Sequence, residues 1–346
     1  MRFIHAADFH LERTFKRAFL DPNVYEKRRR DLWRNFENTI DICNEKNVDF
    51  LFIAGDLFER ESFSQKDQRR LLDLIGSLEK TRLVIAPGNH DYIDKNSPYE
   101  EISKYAYVFM KDKHSYFDFE DLQVRVHGMG WRKDFYNKKF EIDEGLIHPS
   151  WKNILVLHTG VEDGNYLPVE LKDLSKHFDY IALGHIHKAA ELLPNAYYSG
   201  SPEGLSFKEA WQHGVIYFDE KSVNFLETSL RKIVDISLDC EGLSLKEIFR
   251  KIEDIVYKNK DDLIRIRLVG KSDFYYKEDF DKEIYQKAFY FEIISDLQPN
   301  YDLKKIYEAN KDRALGSIIK KLADPKDALK QRALDLILKE IVGGGR

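Results

Sequence analysis

The chain has 346 residues, of which 43% are hydrophobic and 33% charged, a composition typical of soluble globular proteins and unlike that of disordered or membrane-spanning chains. Single cores seldom grow beyond roughly 250 to 300 residues, so this length favours one large domain with a smaller one. The formal net charge of −5 argues against nucleic-acid binding by the whole surface, but it allows a local basic groove.

The sequence shows neither a targeting signal nor a membrane-spanning segment. Met1–Ala7 leads directly into an apolar strand pattern, without the basic stretch and long apolar run of a signal peptide. Every apolar run is shorter than the roughly 20 residues needed to cross a bilayer. The cysteines, Cys43 and Cys240, lie far apart without metal-binding spacing. We therefore expect a cytoplasmic protein with no membrane partner.

The first third of the chain alternates between strand and helix patterns. Phe3–Ala7 predicts a strand, and Tyr25–Lys46 follows with apolar residues at helical spacing. The apolar run Val48–Ala54 predicts a second strand, a helix follows Ser64, and Leu83–Ala86 predicts a third strand. This alternation predicts a layered α/β architecture.

Further apolar runs predict five more strands in the same domain: Val124–Gly128, Ile154–His158, Tyr180–Leu183, Gly214–Phe218 and Val223–Leu226. We place the end of the catalytic domain near residue 229. Residues 230–300 mix strand and helix patterns and predict a small α+β domain, and residues 301–346 predict a helical tail.

The end of the tail has the pattern of an amphipathic helix over Asp324–Val342. Asp324 and Pro325 resemble an N-cap followed by proline at the first helical position. The apolar positions at helical spacing are Leu329, Ala333, Leu336, Ile337 and Ile341. Such a stripe needs an apolar partner, which is either another protein, the chain's own small domain or a second copy in a homodimer.

Polar residues follow closely on five of the predicted strands. They are Asp8, His10, Asp56, Asn89, His90, Asp91, His158, His185 and His187. Because ligand sites in α/β sheets lie outside the carboxyl ends of the strands, these loops can converge. Carboxylates, a carboxamide and neutral imidazoles together suit manganese, iron or zinc. Seven such ligands exceed the needs of one metal, and a two-metal centre is suited to phosphoester hydrolysis.

Five motifs occur in the order typical of the calcineurin-like metallophosphoesterases, which the chain resembles: Asp8-x-His10, Gly55-Asp56, Gly88-Asn89-His90-Asp91, His158 and Gly184-His185-x-His187. The resemblance implies a four-layer β-sandwich core flanked by helices, with two divalent metals, manganese first and iron or zinc as alternatives. By motif, the first metal is bound by Asp8, His10 and His187, the second by Asn89, His158 and His185, and both by Asp56. His90 is then free to act on the transition state or the leaving oxygen, with Asp91 orienting its ring.

Within this superfamily the chain is similar to the SbcD-type DNA exonucleases, and especially to their YhaO-like branch. The similar stretches are Phe3–Leu11, Leu157–Gly160, Ala182–Lys188 and Tyr198–Gly204. The resemblance implies DNA as substrate, a role in DNA repair, a capping domain and an SMC-like coiled-coil ATPase as partner. Glu59 departs from the histidine that many of these nucleases have three positions after the bridging aspartate. A helper in duplex-end processing is therefore expected to be missing, whereas endonuclease action on single strands stays open.

Basic residues near the first motif are the candidates for DNA contact. Arg13, Lys16 and Arg17 directly follow Asp8 and His10, where they could meet phosphates entering the site. A second basic stretch interleaves Trp131, Phe135 and Tyr136 with Arg132, Lys133, Lys138 and Lys139. It is either a stacking platform for unpaired bases or a loop packed on its own domain, and ordinary packing is the default.

Two other functions are compatible with the same residues. The metal site and fold also serve phosphodiesterases and phosphatases that act on nucleotides or phosphoproteins. A DNA-end-binding scaffold subunit with vestigial activity is a third interpretation, against which the complete ligand set argues.

Overall fold

The computed structural model describes residues 1–13, 22–161, 163–272, 287–299 and 303–324, together with 327, 329–330, 333–334 and 336–338. The chain divides into two compact units, Met1–Ile233 and Val234–Arg346. Within the part of the chain that is described, every helix is too short or too polar to span a bilayer. The assignment of a capping domain and a separate tail within the second unit stays a prediction.

The described residues of the first unit, up to Glu227, form twelve strands and four α-helices. The strands are β1 Phe3–Ala6, β2 Phe50–Ile53, β3 Arg82–Ile85, β4 Tyr107–Val108, β5 Ser115–Phe119, β6 Val124–Gly128, β7 Lys152–His158, β8 Tyr180–Gly184, β9 Ala190–Leu193, β10 Ala196–Tyr198, β11 Gly214–Phe218 and β12 Val223–Glu227. The helices are α1 Pro22–Lys46, α2 Gln65–Gly76, α3 Tyr99–Ile102 and α4 Leu171–Leu174. The strands form two six-stranded sheets, in the orders β12-β11-β1-β2-β3-β4 and β5-β6-β7-β8-β10-β9.

Alternating side chains of the central strands define the layers. In β2, Phe50 and Phe52 pack between the two sheets, whereas Leu51 and Ile53 pack in the cluster that contains the buried faces of α1 and α2. Burying each such side chain contributes about 1.5 to 3 kcal/mol. The outer face of the second sheet packs in a third cluster, which includes Leu174 of α4. The predicted α/β core, with two sheets flanked by helices, is therefore confirmed.

The start of α2 shows how local sequence sets an element. The Ser64 side chain accepts a hydrogen bond from the backbone N–H of Asp67, and the Asp67 side chain accepts one from the backbone N–H of Ser64. This capping box satisfies two of the N–H groups that have no partner within the helix. Leu71 and Ile75, four residues apart, are then buried on the face toward the sheet.

The directions of the parallel strands bring their carboxyl ends, in both sheets, to one place. β1, β2 and β3 are parallel neighbours in the first sheet, and β7 and β8 are parallel neighbours in the second. His158, the last residue of β7, pairs in register with Gly184 at the end of β8. Nδ1 of His158 donates to the carbonyl oxygen of Ala54, at 2.9 Å, and so joins the two edges. The loops that follow these strands therefore meet.

The second unit has a small sheet with helices. Its elements are β13 Ile233–Asp239, which begins at the last residue of the first unit, α5 Leu245–Lys258, β14 Leu263–Val269, β15 Lys271–Ser272, β16 Tyr290–Ser295, β17 Gln298–Pro299, α6 Leu303–Asn310 and α7 Ala314–Leu322. The three-stranded sheet has the order β13-β14-β16, and β15 pairs with β17. The buried residues Ile248, Ile252 and Val256 of α5 pack in one cluster with this sheet.

The tail packs through a different stripe from the predicted one. Leu334 and Leu338 are buried with Ile319 of α7, whereas Leu329 and Leu336 are 83% and 58% exposed. The sequence offers two adjacent apolar stripes on this helix, and contact with α6 and α7 selects the one that periodicity alone did not favour. The predicted positions Pro325 and Ile341 lie outside the described residues.

Candidate metal centre

The loops that follow β1, β2 and β8 place several site residues in a left-handed backbone conformation. The φ angles are 55° at Asp8, 47° at His10, 51° at Asp56 and 102° at His185. Each such residue costs about 1 to 3 kcal/mol and persists only where surrounding contacts hold it. Here the backbone N–H groups of Asp8 and His10 donate to the carbonyl oxygens of Gly55 and Asp56, at 3.0 and 2.9 Å. These hydrogen bonds between the two loops thus stabilise the backbone conformations that position the Asp8, His10 and Asp56 side chains.

Two motif glycines are explained by close approach. A Cβ atom on Gly55, which has a φ of 90°, would lie 2.3 Å from Nδ1 of His158. A Cβ atom on Gly88 would lie 2.3 Å from Oδ1 of Asp56. Any larger residue would push the loops apart, so glycine is needed for the carboxylate and the imidazole to sit where they do.

The first cluster of ligand atoms comes from Asp8, His10 and His187. One ligand atom from each lies within 4.8 Å of the others. The Nε2 atoms of His10 and His187 are 3.2 Å apart. The backbone N–H of His185 donates to the Asp8 carboxylate, at 3.1 and 3.2 Å from its two oxygens, and fixes its orientation.

Carboxylates behind these rings determine which nitrogen faces the cluster. Nδ1 of His10 donates to Oε1 of Glu59 at 2.9 Å, and Nδ1 of His187 donates to Oε1 of Glu209 at 3.4 Å. A carboxylate only accepts, so each neutral ring has its hydrogen on Nδ1 and a lone pair on Nε2. With both rings neutral, two lone pairs would face each other at 3.2 Å and repel, and a divalent ion bound by both nitrogens would remove the repulsion. The cluster therefore fits a metal ion.

The second cluster comes from Asn89, His158 and His185. Because Nδ1 of His158 donates to Ala54, its Nε2 is an acceptor, and it faces Oδ1 of Asn89 at 2.9 Å. The His185 ring stacks edge-on against the His158 ring, with centroids 5.2 Å apart. Burial, together with the neighbouring His158, lowers the pKa of His185 to about 3, so its imidazole is neutral and can act as a ligand.

Asp56 reaches both clusters. Its Oδ2 lies 3.4 Å from Nε2 of His158 and 3.7 Å from Nε2 of His10. Burial opposes its ionisation, but the electrostatic effect of the neighbouring histidines and the hydrogen bond from the backbone N–H of His90, at 2.9 Å, outweigh it and lower the pKa of Asp56. One buried carboxylate thus stands between two sets of acceptor atoms, an arrangement that suits a pair of divalent cations.

His90 lies at the solvent side of the site. Its side chain is 40% exposed, its ring packs edge-on against His10, and its Nδ1 donates to Oε2 of Glu59 at 2.9 Å. Burial acts against the charged ring, but the hydrogen bond to Glu59 and the charge of Asp56 outweigh it and raise the pKa of His90 to about 9.

Glu59, and not Asp91, contacts the His90 ring, which corrects the role expected for Asp91. The Asp91 carboxylate accepts three hydrogen bonds of 2.6 Å, from the backbone N–H groups of Leu57 and Gly88 and from the hydroxyl of Tyr99. Burial, with the nearby charge of Asp56, raises the pKa of Asp91 to about 6. Asp91 therefore ties together the two loops that present Asp56 and Asn89.

Sequence patterns did not identify the carboxylates that orient the histidines. Glu59 lies three positions after Asp56, and that proximity was a usable signal. Glu209 follows His187 by 22 residues, in a segment without a motif, so spacing gave no indication of it. Glu209 is found only when the fold brings its loop to His187.

The predicted DNA-contacting residues lie beside this centre or outside the described part of the chain. Nη1 of Arg13 is 3.3 Å from Oε1 of Glu59, and its side chain is 30% exposed. Arg13 is therefore at the edge of the metal centre, where a phosphate could reach it. Lys16 and Arg17 lie outside the described residues.

Comparisons with known proteins agree on a phosphoesterase family. Residues 1–189 match the family model of the calcineurin-like phosphoesterases. The chain is 25% identical to the uncharacterized metallophosphoesterase YhaO of Bacillus subtilis, covering 78% of this chain and 71% of that protein. It is 23% identical to the DNA double-strand break repair protein Mre11 of Saccharolobus solfataricus, covering 99% and 94%.

Among solved structures, a dimetal phosphatase from Danio rerio aligns with a TM-score of 0.38 and 12% identity, over 63% of this chain and 91% of that one. The family model spans more than half of the chain and includes the loops that hold Asp8, Asp56, Asn89, His158 and His187. The chain belongs to the calcineurin-like phosphoesterase family.

Proposed function

We propose that this protein hydrolyses phosphodiester bonds in DNA with a centre of two divalent metal ions, manganese first and iron or zinc as alternatives. The observation that supports it most is the position of Asp56, which lies between the Asp8, His10 and His187 cluster and the His158 ring, itself in contact with Asn89 and His185. Asp8, His10 and His187 would hold one ion, Asn89, His158 and His185 the other, and Asp56 both. Oxygen and neutral imidazole ligands together suit these metals.

When bound, such a metal pair neutralises phosphoryl charge and lowers the pKa of water. The protein's own residues then position the reacting groups. His90, held through Nδ1 by Glu59, presents Nε2 to the substrate and donates a proton to the leaving oxygen. Asp91 keeps the Asp56 and Asn89 loops in register through its hydrogen bonds to Leu57 and Gly88.

DNA as the substrate is supported by the relatives and by local charge. Several similar archaeal proteins are named DNA double-strand break repair protein Mre11. Arg13 lies beside the centre, and Lys16 and Arg17 follow it in the sequence. Since the same fold serves other phosphoesters, substrate choice has to be tested directly.

A substrate panel with manganese separates the three candidate functions. Linear duplex DNA, circular single-stranded DNA, an aryl phosphodiester and an aryl phosphomonoester are compared under the same conditions. The proposal expects hydrolysis of DNA and of the diester, with the monoester far slower. Preference for the monoester would indicate a phosphatase, and DNA binding without any hydrolysis would indicate a scaffold subunit.

Changing Glu59 to glutamine should weaken manganese binding by about 10- to 100-fold, the usual effect of removing a partner that orients a metal-bound histidine. Glu59 accepts hydrogen bonds from both His10 and His90, and a glutamine side chain has only one acceptor oxygen. Isothermal titration of the metal-free protein with Mn²⁺ measures the effect. Glu61→Gln, an exposed change in the same loop, is the control. If the Glu59→Gln variant bound Mn²⁺ as tightly as the Glu61→Gln control, Glu59 would not be needed to orient the metal ligands.

We also propose that the tail docks on a partner, an SMC-like coiled-coil ATPase. Leu329 and Leu336 are exposed and seven residues apart, a spacing that places two residues on one side of a continuous helix. Leu334 and Leu338 already pack against α6 and α7. Among the described residues of the tail, the exposed pair is therefore open to another protein.

A Leu329→Glu/Leu336→Glu variant should keep its melting temperature and its hydrolysis of the aryl diester, while losing co-elution with the purified ATPase in gel filtration. Leu334→Ala/Leu338→Ala is the contrasting variant and should lower the melting temperature, because each buried leucine contributes about 2 to 5 kcal/mol. Intact co-elution of the glutamate variant would contradict docking at these residues. Sedimentation of the isolated chain shows whether the same pair instead supports a homodimer.

A further inference from the structure

A cavity of about 950 Å³ lies in the first unit, outside the cluster of metal-ligand residues. It is lined by residues 112–114, by Met129, Arg132, Lys133, Tyr136, residues 138–143 and Leu146, and by Leu167, whereas Phe135 lies in the same loop but not in the wall. This volume is in the range of pockets that bind small molecules, and it exceeds what one side chain or a few waters fill. Residues of this wall belong to the aromatic and basic stretch that begins at Trp131.

The walls of the cavity are fixed by hydrogen bonds. The backbone N–H of Asp143 donates to Nδ1 of the buried His114, and the backbone N–H of Phe140 donates to the carbonyl oxygen of Pro168, at 2.9 and 3.0 Å. The backbone N–H of Leu167 donates a hydrogen bond to the carbonyl oxygen of Tyr136, at 2.7 Å. The cavity is therefore preformed, as ligand sites usually are.

The charge of the lining favours an anion. It has five cations, Lys113, Arg132, Lys133, Lys138 and Lys139, and three carboxylates, Asp112, Glu141 and Asp143. Two of the carboxylates already accept hydrogen bonds: Asp112 from the hydroxyl of Tyr136 at 3.3 Å, and Asp143 from the backbone N–H of Gly145 at 3.0 Å. Lys139 lies 3.3 Å from the carboxylate of Glu170, outside the lining, and the other four cations still outnumber the three carboxylates, so the balance is positive, as a phosphate group requires.

An exposed aromatic ring adds a second element of recognition. Phe135 is 50% exposed, and the ammonium group of Lys133 lies 5.1 Å from its ring centroid. Phe135 and Lys133 are in the same loop as the cations of the cavity. A base can stack on such a ring while its phosphate meets a neighbouring cation, which is how single strands are bound without sequence preference.

The cavity is connected to the metal centre through two aromatic rings. Tyr136, which lines the cavity, packs edge-on against Trp131 with centroids 5.1 Å apart. Nε1 of Trp131 donates to the carbonyl oxygen of His158 at 3.0 Å. The backbone N–H of Ile93 donates to the carbonyl oxygen of Trp131, which ties this segment to the loop after Asn89 and His90. These contacts place the segment that carries Tyr136 next to the segments that carry His158 and His90.

We propose that this cavity binds a nucleotide of a single DNA strand whose scissile bond lies at the metal centre, an inference that rests on the proposed hydrolysis of DNA. Its cations contact the phosphates of that strand, and Phe135 stacks on one base. The cavity thus favours substrates with an unpaired strand beyond the cleaved bond.

Fluorescence anisotropy of a labelled twelve-nucleotide oligothymidylate, measured in EDTA so that hydrolysis does not occur, tests this site. Lys133→Glu/Lys138→Glu should raise Kd at least about tenfold and flatten its dependence on salt, because phosphate contacts are lost. Phe135→Ala should raise Kd about 5- to 150-fold. Lys246→Glu/Lys251→Glu on α5 makes the same change in net charge in the other unit and should leave Kd within about twofold of wild type.

Wild-type affinity in both cavity variants, with melting temperatures unchanged, would overturn the proposal. So would complete displacement of the oligonucleotide by thymidine monophosphate at a similar Kd, since that result indicates a mononucleotide site. Hydrolysis of the aryl diester by the wild-type protein is measured separately. A failure of that reaction counts against the proposed function. The binding data still decide whether the cavity binds single-stranded DNA.

Discussion

Replacing Asp56 with asparagine should lower turnover of a phosphodiester by at least about 10³-fold and reduce the manganese content below two ions per chain. Asp56 is buried, and its Oδ2 lies within 3.7 Å of the ring nitrogens of both His10 and His158. Asparagine has nearly the same shape but lacks the negative charge that holds two cations close together. Several kcal/mol of transition-state stabilisation is lost with a metal ion, and every 1.36 kcal/mol is a factor of ten in rate.

The measurements are steady-state hydrolysis of an aryl diester and metal analysis after gel filtration. Asp73→Asn, an exposed aspartate of α2, is the matched control and should behave as wild type. The melting temperature in EDTA shows whether the Asp56 variant folds without metal. Near-normal turnover with two ions still bound would show that Asp56 does not bridge the metals.

Replacing His90 with alanine should lower the rate by about 10² to 10⁴-fold while both metal ions stay bound, the usual contribution of a positioned acid. Glu59 holds Nδ1 of this ring at 2.9 Å, and the side chain is more exposed than those of the proposed ligands His10 and His158. The loss should appear mainly in kcat, because the ring acts on the leaving oxygen in the transition state.

Metal content decides between two roles for His90, because His10, Asp56 and His90 also lie close enough to hold one ion. Retention of two ions with a slow rate supports the acid role. Loss of an ion would make His90 a ligand and would require a different division of the site. His177→Ala, which removes a histidine outside the motifs that lies 3.8 Å from the carboxylate of Glu144, should leave both rate and metal content unchanged.

Strands β1, β2, β3, β7 and β8 could be predicted because each is a short apolar run that leads into a motif. Strands β4, β5, β9 and β10 were not predicted, and the reason is clearest for β9 and β10. They are Ala190–Leu193 and Ala196–Tyr198, too short and too closely spaced for periodicity to identify. Their place in the sheet is set by tertiary pairing, because β10 inserts between β8 and β9.

The proposed ligands could be selected from sequence because metal chemistry restricts residue types and parallel strands restrict position. The carboxylates that orient these ligands could not be selected in this way, because they are determined by contacts between distant loops. Glu209 reaches His187 across 22 residues, and Glu59 takes the contact with His90 that was expected of Asp91. The tail shows the same limit, since Leu334 and Leu338 are buried where periodicity favoured Leu336.

Anomalous diffraction from crystals grown with Mn²⁺ tests the central claim most directly, because it places each metal ion independently of activity. We expect two peaks, one bounded by Asp8, His10 and His187 and the other by Asn89, His158 and His185, with the Asp56 carboxylate in contact with both. A single peak, or peaks away from Asp56, would contradict the two-metal centre and the mechanism built on it.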